Sequence, residues 1–164
     1  MCKIIKFIPV FFLSFLLTSG CIASEKAVNP QVSEAREFKL NDLNGKAVSL
    51  SDYKGKKSVV LIFWTTWCPY CRTALKSLSK NESISRGEYL ELLAINVGEP
   101  KLKVSSFIKA LSFKFRVLLD SDSEVADDFG LLGVPTYYII DKSGKVIFEG
   151  NSLPEKKIKE IVLQ

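Results

Sequence analysis

Two cysteines, Cys68 and Cys71, flank a two-residue spacer in the segment WCPYC. A pair with this spacing can bind zinc, attach haem, form a structural disulfide or act as a redox pair. A structural zinc site usually needs about four Cys and His ligands, and this chain has no histidine. Covalent haem attachment needs a histidine directly after the second cysteine, where the chain has Arg72. We therefore predict no metal, and a structural disulfide and a redox pair remain.

The residues around the pair favour redox chemistry. The apolar run SVVLIFW predicts a strand buried on both faces, and a helix is predicted from about residue 69 to 80. Cys68 would then lie at the N-terminus of that helix, where the macrodipole and free N–H groups stabilise a thiolate. Cys71 would lie about one turn further in, placed to attack a mixed disulfide at Cys68. A disulfide that closes so small a loop constrains the unfolded chain little, so it is a poor structural staple.

The remaining elements must position this pair. Strands alternate with helices along the chain, which predicts an α/β domain with a parallel core sheet covered on both faces. A closing hairpin adds antiparallel strands. The predicted elements are a hairpin at 38–50 with an Asn44-Gly45 turn, strands at 58–64, 89–97 and 116–120, helices at 69–80, 103–112 and about 123–130, a second hairpin at 136–150 and a final helix after Pro154.

Residues 1–20 have the pattern of a secretory signal peptide. A short basic start precedes the apolar run FIPVFFLSFLL, which is too short to span a membrane, and small residues follow it. The segment LTSGC resembles a bacterial lipobox, which predicts cleavage before Cys21 and a lipid on its sulfur. Ordinary signal cleavage nearby and an uncleaved N-terminal anchor are the alternatives. All three predict an exported protein that faces the periplasm or the extracytoplasmic side of a membrane.

The mature chain is predicted to have two parts. Residues 21–36 are polar and weakly patterned, as in a flexible tether, and residues 37–164 form one domain. Because Cys2 lies in the signal and Cys21 carries lipid, Cys68 and Cys71 are left as one pair, which suits an oxidising compartment. The net charge is +5 with acids and bases interspersed, which predicts a solvated surface and no nucleic-acid partner.

The segment VVLIFWTTWCPYCRTALKSL closely resembles the thioredoxin superfamily. GVPTYYIIDKSGKVI resembles the second signature of that superfamily, in which a cis-proline faces the cysteines. The front hairpin and the segment LLAINVGEP resemble the TlpA/ResA-like branch, whose members are membrane-tethered extracytoplasmic thiol–disulfide oxidoreductases, many of which serve cytochrome c maturation. The resemblance covers residues 38–163. It implies a thioredoxin-like fold with a central mixed sheet flanked by helices, an N-terminal β-hairpin and an inserted β-α element.

The resemblance also implies roles for individual residues. Cys68 would be the nucleophile and Cys71 the resolving thiol. Pro135 would be the cis-proline, and the backbone of Val134 would pair with an extended substrate segment. Trp67 would shield the dithiol and contact partners.

Two residues between the cysteines and one distant carboxylate complete the predicted site. Pro69 would set the first helical turn, and Tyr70 would be exposed beside the nucleophile. The chain departs from the superfamily at two proton-handling positions, since Ile62 and Ala74 replace the acids usual there. Glu99 is the remaining candidate for a proton relay to Cys71.

These predictions make the chain a protein-disulfide reductase that needs no cofactor beyond its own redox-active disulfide. Its clients would be disulfides of exported proteins, with apocytochrome c as one candidate, and a membrane thiol carrier would re-reduce the pair. A dithiol oxidase or isomerase is the nearest alternative, because the Pro-Tyr spacer is more typical of glutaredoxins. A thiol peroxidase is disfavoured because Leu61 replaces the expected proline, although Thr65 is in place. A binding module without turnover and a copper carrier, which would need a histidine, are further alternatives.

Overall fold

The computed structural model describes residues 33–80, 89–111, 113 and 115–163. The predicted signal peptide, the lipid attachment at Cys21 and most of the tether lie outside these residues. Within the described ranges, no helix has the length and apolar character needed to cross a membrane.

The described residues contain seven strands in one mixed sheet, in the order β2-β1-β5-β4-β3-β6-β7. The three central strands β5, β4 and β3 run parallel, and the strands on either side of them pair antiparallel. This arrangement confirms the predicted fold class. The strands are β1 (Lys39–Asp42), β2 (Ala47–Ser49), β3 (Ser58–Trp64), β4 (Leu90–Val97), β5 (Arg116–Asp120), β6 (Thr136–Ile140) and β7 (Val146–Gly150).

The helices cover both faces of this sheet, as the alternation of elements predicted. One face carries α1 (Pro69–Lys80), α2 (Lys101–Leu111) and α4 (Glu155–Val162), whose apolar residues join one core cluster. The other face carries a short 3₁₀ helix (Leu50–Asp52) and α3 (Glu124–Asp128), which join a second cluster. The sheet therefore separates two hydrophobic cores.

Strand β3 is the centre of the molecule. All seven of its residues are buried, because α1 covers one of its faces and the second core cluster covers the other. A strand covered on both faces reads as a continuous apolar run, which is why its bounds could be predicted. Its C-terminal end points at the start of α1, and this junction contains the two cysteines.

The second helix begins at Lys101, two residues before its predicted start, and two larger details of the fold also differ from the predictions. The first hairpin turns through a three-residue loop, residues 43–45, because Asp42 already pairs with Lys46, and Gly45 has the positive φ that this turn requires. The domain also begins before residue 37. The amide of Ala35 donates to the carbonyl of Gly144, and the carbonyl of Ser33 accepts from the amide of Val146, so the end of the predicted tether is bound to the domain.

Candidate active site

The two cysteines lie where β3 ends and α1 begins. Cys68 directly precedes the helix, Cys71 lies in its first turn, and the two are joined by a disulfide with their Cα atoms 5.2 Å apart. Cys68 is 4% exposed and Cys71 is completely buried. Only Cys68 therefore presents any surface to a reaction partner, as the predicted roles of nucleophile and resolving thiol require.

The backbone at the start of α1 is arranged to stabilise negative charge on Cys68. The amide of Cys71 donates to Cys68 Sγ over 3.1 Å, and the amide of Arg72 donates to the Cys68 carbonyl over 3.3 Å. Pro69 is the first helical residue, where its missing N–H leaves no partner unsatisfied. A thiolate at Cys68 would thus accept a backbone hydrogen bond at the positive end of the helix dipole.

The loop before β6 forms the second wall of the site. The Val134–Pro135 peptide bond is cis, as the resemblance implied. The carbonyl oxygen of Val134 lies 3.6 Å from Cys68 Sγ. Asn151 holds this loop, since its Nδ2 donates to the Pro135 carbonyl over 3.1 Å and to Thr136 Oγ1 over 3.0 Å. The structure thus brings Val134 and Pro135 to the dithiol, 66 residues along the chain from Cys68.

Large apolar side chains surround the opening to Cys68. Trp67 is 64% exposed and Tyr70 is 79% exposed, whereas Trp64, two residues before Thr66, is fully buried in the core. Exposed aromatic rings hold apolar surface in water, and a partner that covers them removes that surface from water, which favours binding. Their place beside the nucleophile fits the predicted partner contacts of Trp67 and Tyr70.

Glu99 binds the turn that leads to Cys68 and is almost completely buried. Its carboxylate accepts hydrogen bonds from the Thr66 amide at 2.6 Å, Thr66 Oγ1 at 2.7 Å and Asn96 Nδ2 at 2.8 Å, and it pairs with Lys103 Nζ at 2.7 Å. Burial alone would raise the pKa of Glu99, but the hydrogen bonds from Lys103, Asn96 and Thr66 outweigh it and lower the pKa to about 2.

Glu99 is therefore a buried charged group and not a solvated turn residue. Its role as a proton relay stays a prediction. A carboxylate that binds protons only near pH 2 is a weak base, and its observed partners give it a different task, which is to hold the turn before Cys68.

Thr66 is the point at which that turn is held from two sides. Glu99 binds its amide and hydroxyl, while Arg72 donates from Nε and Nη2 to its carbonyl over 3.1 and 3.0 Å. The Arg72 guanidinium also lies 5.5 Å from the centroid of Phe107 on α2. The sequence pattern did not identify Thr66, Arg72, Lys103 or Asn151, and the only local signal was the spacing of four residues between Glu99 and Lys103.

Comparison of the sequence with known proteins assigns the chain to a family. The AhpC/TSA family matches residues 32–149. The chain belongs to this family. The thiol-disulfide oxidoreductase ResA of Bacillus subtilis is 35% identical over 135 residues, covering 82% of this chain and 74% of the relative. ResA of Geobacillus thermodenitrificans is 38% identical over 123 residues, covering 75% of this chain and 70% of the relative.

Solved structures agree with the fold. A Chlorobium tepidum protein described as a candidate thiol:disulfide interchange protein DsbE superposes with a TM-score of 0.70 at 26% identity, covering 80% of this chain and 94% of that chain. StoA of Bacillus subtilis superposes with a TM-score of 0.64 at 23% identity, covering 76% and 95%. Together with the ResA relatives, the site identifies the chain as a ResA-like thiol–disulfide oxidoreductase with a thioredoxin-like fold.

Proposed function

We propose that this ResA-like chain is an extracytoplasmic protein-disulfide reductase. Residues 1–20 would direct its export, and a lipid on Cys21 would hold the domain at the outer face of a membrane through the tether that follows. The signal-like composition of residues 1–20 and the single cysteine pair in the domain support this location.

The observation that carries the proposal is the unequal burial of the pair. Cys68 has exposed surface beside Trp67, Tyr70 and the Val134 carbonyl, whereas Cys71 is sealed in the core. A nucleophile with exposed aromatic side chains and the Val134 backbone carbonyl beside it suits an extended protein segment better than a small oxidant. The buried partner is protected from outside reagents but is next to the mixed disulfide when it forms.

Exchange would proceed in two balanced steps. The Cys68 thiolate attacks one sulfur of a client disulfide, so that a mixed disulfide forms and the second client sulfur leaves as a thiolate. Cys71, as its thiolate, then attacks Cys68 Sγ, forms the internal disulfide and releases the first client sulfur. The two client thiolates take up two protons, and two electrons pass from the pair to the client. A membrane thiol carrier would return two electrons to Cys68–Cys71 for the next cycle.

The direction of electron flow and the choice of client rest on the resemblance to the TlpA/ResA-like branch. That resemblance supports reduction over oxidation and makes apocytochrome c, oxidised at its haem-binding cysteines, the first client to test. A dithiol oxidase with the same site would run the two steps in reverse, with client thiols as the electron donors.

Trapping tests the client. The reduced Cys71→Ala variant should accumulate a mixed disulfide with oxidised apocytochrome c, because no resolving thiol is present. Dithiothreitol should reduce this adduct. Reduced wild-type chain should release apocytochrome c with both thiols free, and Cys68→Ala should form no adduct. Absence of an adduct with the Cys71→Ala variant would remove apocytochrome c as a client. Faster reaction of the oxidised chain with reduced apocytochrome c would favour the oxidase.

The anchor is tested separately. The full chain produced in bacteria fed labelled palmitate should carry label, and the Cys21→Ala variant should carry none. Label that persists in the variant, or its absence from both proteins, would contradict lipid attachment at Cys21.

A further inference from the structure

Acidic and basic residues are concentrated in different segments of this chain, and the fold places these segments on different surfaces. From residue 117 to 141 the sequence has six acids and no lysine or arginine. Helices α1 and α2 have the opposite composition, with six bases and no acid. The acids are Asp120, Asp122, Glu124, Asp127, Asp128 and Asp141, and the bases are Arg72, Lys76, Lys80, Lys101, Lys103 and Lys109.

The exposed acids at 122–128 and the bases of α1 and α2 lie on opposite faces of the sheet. Helices α1 and α2 pack on the first core cluster, and Arg72 of α1 reaches Phe107 of α2, so their basic residues form one surface. Helix α3 packs on the second cluster, with Asp122, Glu124, Asp127 and Asp128 exposed around it. We call these surfaces the basic side (α1 and α2) and the acidic side (α3 and Asp122).

Most of these charges are available to a partner. In the described part of the chain, no carboxylate lies at ion-pair distance from Lys76, Lys101 or Lys109. Among the same residues, no lysine or arginine lies at ion-pair distance from the four exposed acids. Lys103 is the exception because it pairs with Glu99. The charge of Arg72 is directed to a carbonyl and not to an acid. The basic side therefore stays positive and the acidic side negative.

The reacting sulfur lies at the border between the two sides. Cys68 directly precedes α1 of the basic side, and the loop that leaves α3 of the acidic side reaches Val134, whose carbonyl is 3.6 Å from Cys68 Sγ. Exposed apolar residues mark the same border, with Trp67 and Tyr70 at the start of α1, Leu102 at the start of α2 and Leu132 in the loop. A segment docked at Cys68 would extend over both sides.

We propose that this chain selects protein clients by charge polarity, taking an extended segment whose reacting cysteine is flanked by acidic residues toward the basic side and basic residues toward the acidic side. Surface fields of this kind steer association and act within a Debye length of about 10 Å at 0.1 M salt. The proposal rests on thiol–disulfide exchange at Cys68 and does not depend on the direction of electron flow.

The polarity argues against two other occupants. An anionic membrane surface would be attracted by the basic side and repelled by the acidic side across the same opening. A second copy of the chain has both charges, but its Cys68 lies at the folded start of a helix, with 4% of its surface exposed, and not in an extended segment. A flexible client segment can present both charges and an accessible disulfide together.

Peptide probes test the proposal. Each probe contains a disulfide-bonded Cys-Gly-Ser-Cys loop, flanked by glutamates before and lysines after, by lysines before and glutamates after, or by serines on both ends. The reduced full chain should reduce the two charged probes at rates that differ by about tenfold at low salt. High salt should bring the two rates within about twofold of each other because exposed charges are screened.

Charge-reversal variants identify the surfaces. The Lys76→Glu/Lys101→Glu and Asp127→Lys/Asp128→Lys variants should each reduce the preference, and the combined variant should invert it. The matched control, Lys46→Glu/Lys145→Glu, changes exposed lysines in hairpin turns at the opposite end of the sheet and should keep the wild-type preference. The serine probe should react at an unchanged rate in all of these variants, which shows that each is folded and active.

Equal rates for the two charged probes at low salt would overturn the proposal, and so would a preference that survives all the reversals. If rates are equal but the full chain binds phosphatidylglycerol vesicles through the basic side, that surface serves a membrane. If rates are equal and the chain self-associates in a salt-dependent manner, the two sides bind each other. Failure to reduce even the serine probe would instead contradict disulfide exchange itself.

Discussion

At Glu99, a single buried carboxylate receives two hydrogen bonds from Thr66, one from Asn96 and an ion pair from Lys103. Because its pKa is held near 2, the group is charged throughout the range in which thiol exchange operates. Its contribution is therefore positional. It fixes the amide of Thr66 while Arg72 fixes the carbonyl, two residues before the nucleophile.

Glu99→Gln should lower the free energy of unfolding by about 3 kcal/mol at pH 7, because the folded-state pKa of about 2 lies below the ordinary value of 4.5 and each pKa unit corresponds to about 1.4 kcal/mol. A group with a depressed folded pKa stabilises the protein above its unfolded pKa and loses that effect as pH falls through the folded pKa. The difference between wild type and variant should thus shrink between about pH 5 and about pH 2. Urea unfolding at several pH values measures it.

The control for this prediction is Glu160→Gln, which removes an exposed pair with Lys157. Exposed pairs contribute about 0–1 kcal/mol, so this variant should stay near the wild type. If Glu99→Gln is equally mild, or if its effect does not vary with pH, Glu99 does not hold the turn as a charged group.

At the two cysteines, unequal burial predicts unequal reactivity. In the reduced chain, iodoacetamide at neutral pH should modify Cys68 at least about tenfold faster than Cys71, because Cys68 keeps 4% of its surface exposed and Cys71 none, and because the Cys71 amide is placed to donate to a Cys68 thiolate. Peptide mass spectrometry gives both rates. Similar rates, or faster loss of Cys71, would contradict the assignment of nucleophile and resolving thiol.

The residues proposed to carry the chemistry lie in recognisable motifs, and the residues that support them do not. Cys68, Cys71 and Pro135 belong to short motifs that can be recognised in the sequence itself. Thr66 and Arg72 became visible only in the structure, because Thr66 depends on Glu99, 33 residues away, and the Arg72 side chain turns back to a carbonyl. Hydrogen bonds between polar residues that are far apart in the chain produce no local pattern in the sequence.

Among the elements, α1 has to deliver Cys68 while it hides Cys71. Its inner side is formed by Cys71, Leu75 and Leu78, which pack into the first core cluster against β3. The spacing of four and three residues places them on one face of the helix. The packing of α1 therefore fixes the depth of the resolving thiol.

Leu75→Ala should lower the free energy of unfolding by about 2–5 kcal/mol, because it removes a fully buried side chain and leaves a cavity beneath the helix. Chemical denaturation of the oxidised chain measures the change. Ser77→Ala, at an exposed position of the same helix, is the control and should change stability by less than about 1 kcal/mol. A small effect at Leu75 would mean that α1 is not held by this contact.

The type of each element followed from its periodicity, and its place in the sheet did not. Strand β3 was predicted from its apolar run and α1 from the residues after it, with the observed bounds. The first hairpin was predicted as a hairpin, but its attachment to β5 depends on the pairing of Asn41 with Leu119, far apart in sequence. Its loop was wrong by one residue because the Asp42 carboxylate organises a wider turn.

Across the whole molecule, the even spread of charge inferred from the sequence is wrong at the scale of the surface. The exposed acids at 122–128 and the bases of α1 and α2 are separated by the sheet, so the described part of a chain of modest net charge has two surfaces of opposite sign. Such a molecule is expected to bind partners with a strong dependence on salt and on orientation. Total charge alone does not predict this.

The reduction potential of the Cys68–Cys71 pair tests the central claim of a reductase most directly. Equilibration of the chain in glutathione and dithiothreitol buffers, followed by thiol alkylation, gives the value. We expect a potential below about −220 mV, toward the roughly −270 mV of thioredoxin. A value between about −120 and −180 mV, as in DsbA and protein disulfide isomerase, would contradict the account and make the chain an oxidant or isomerase of exported proteins.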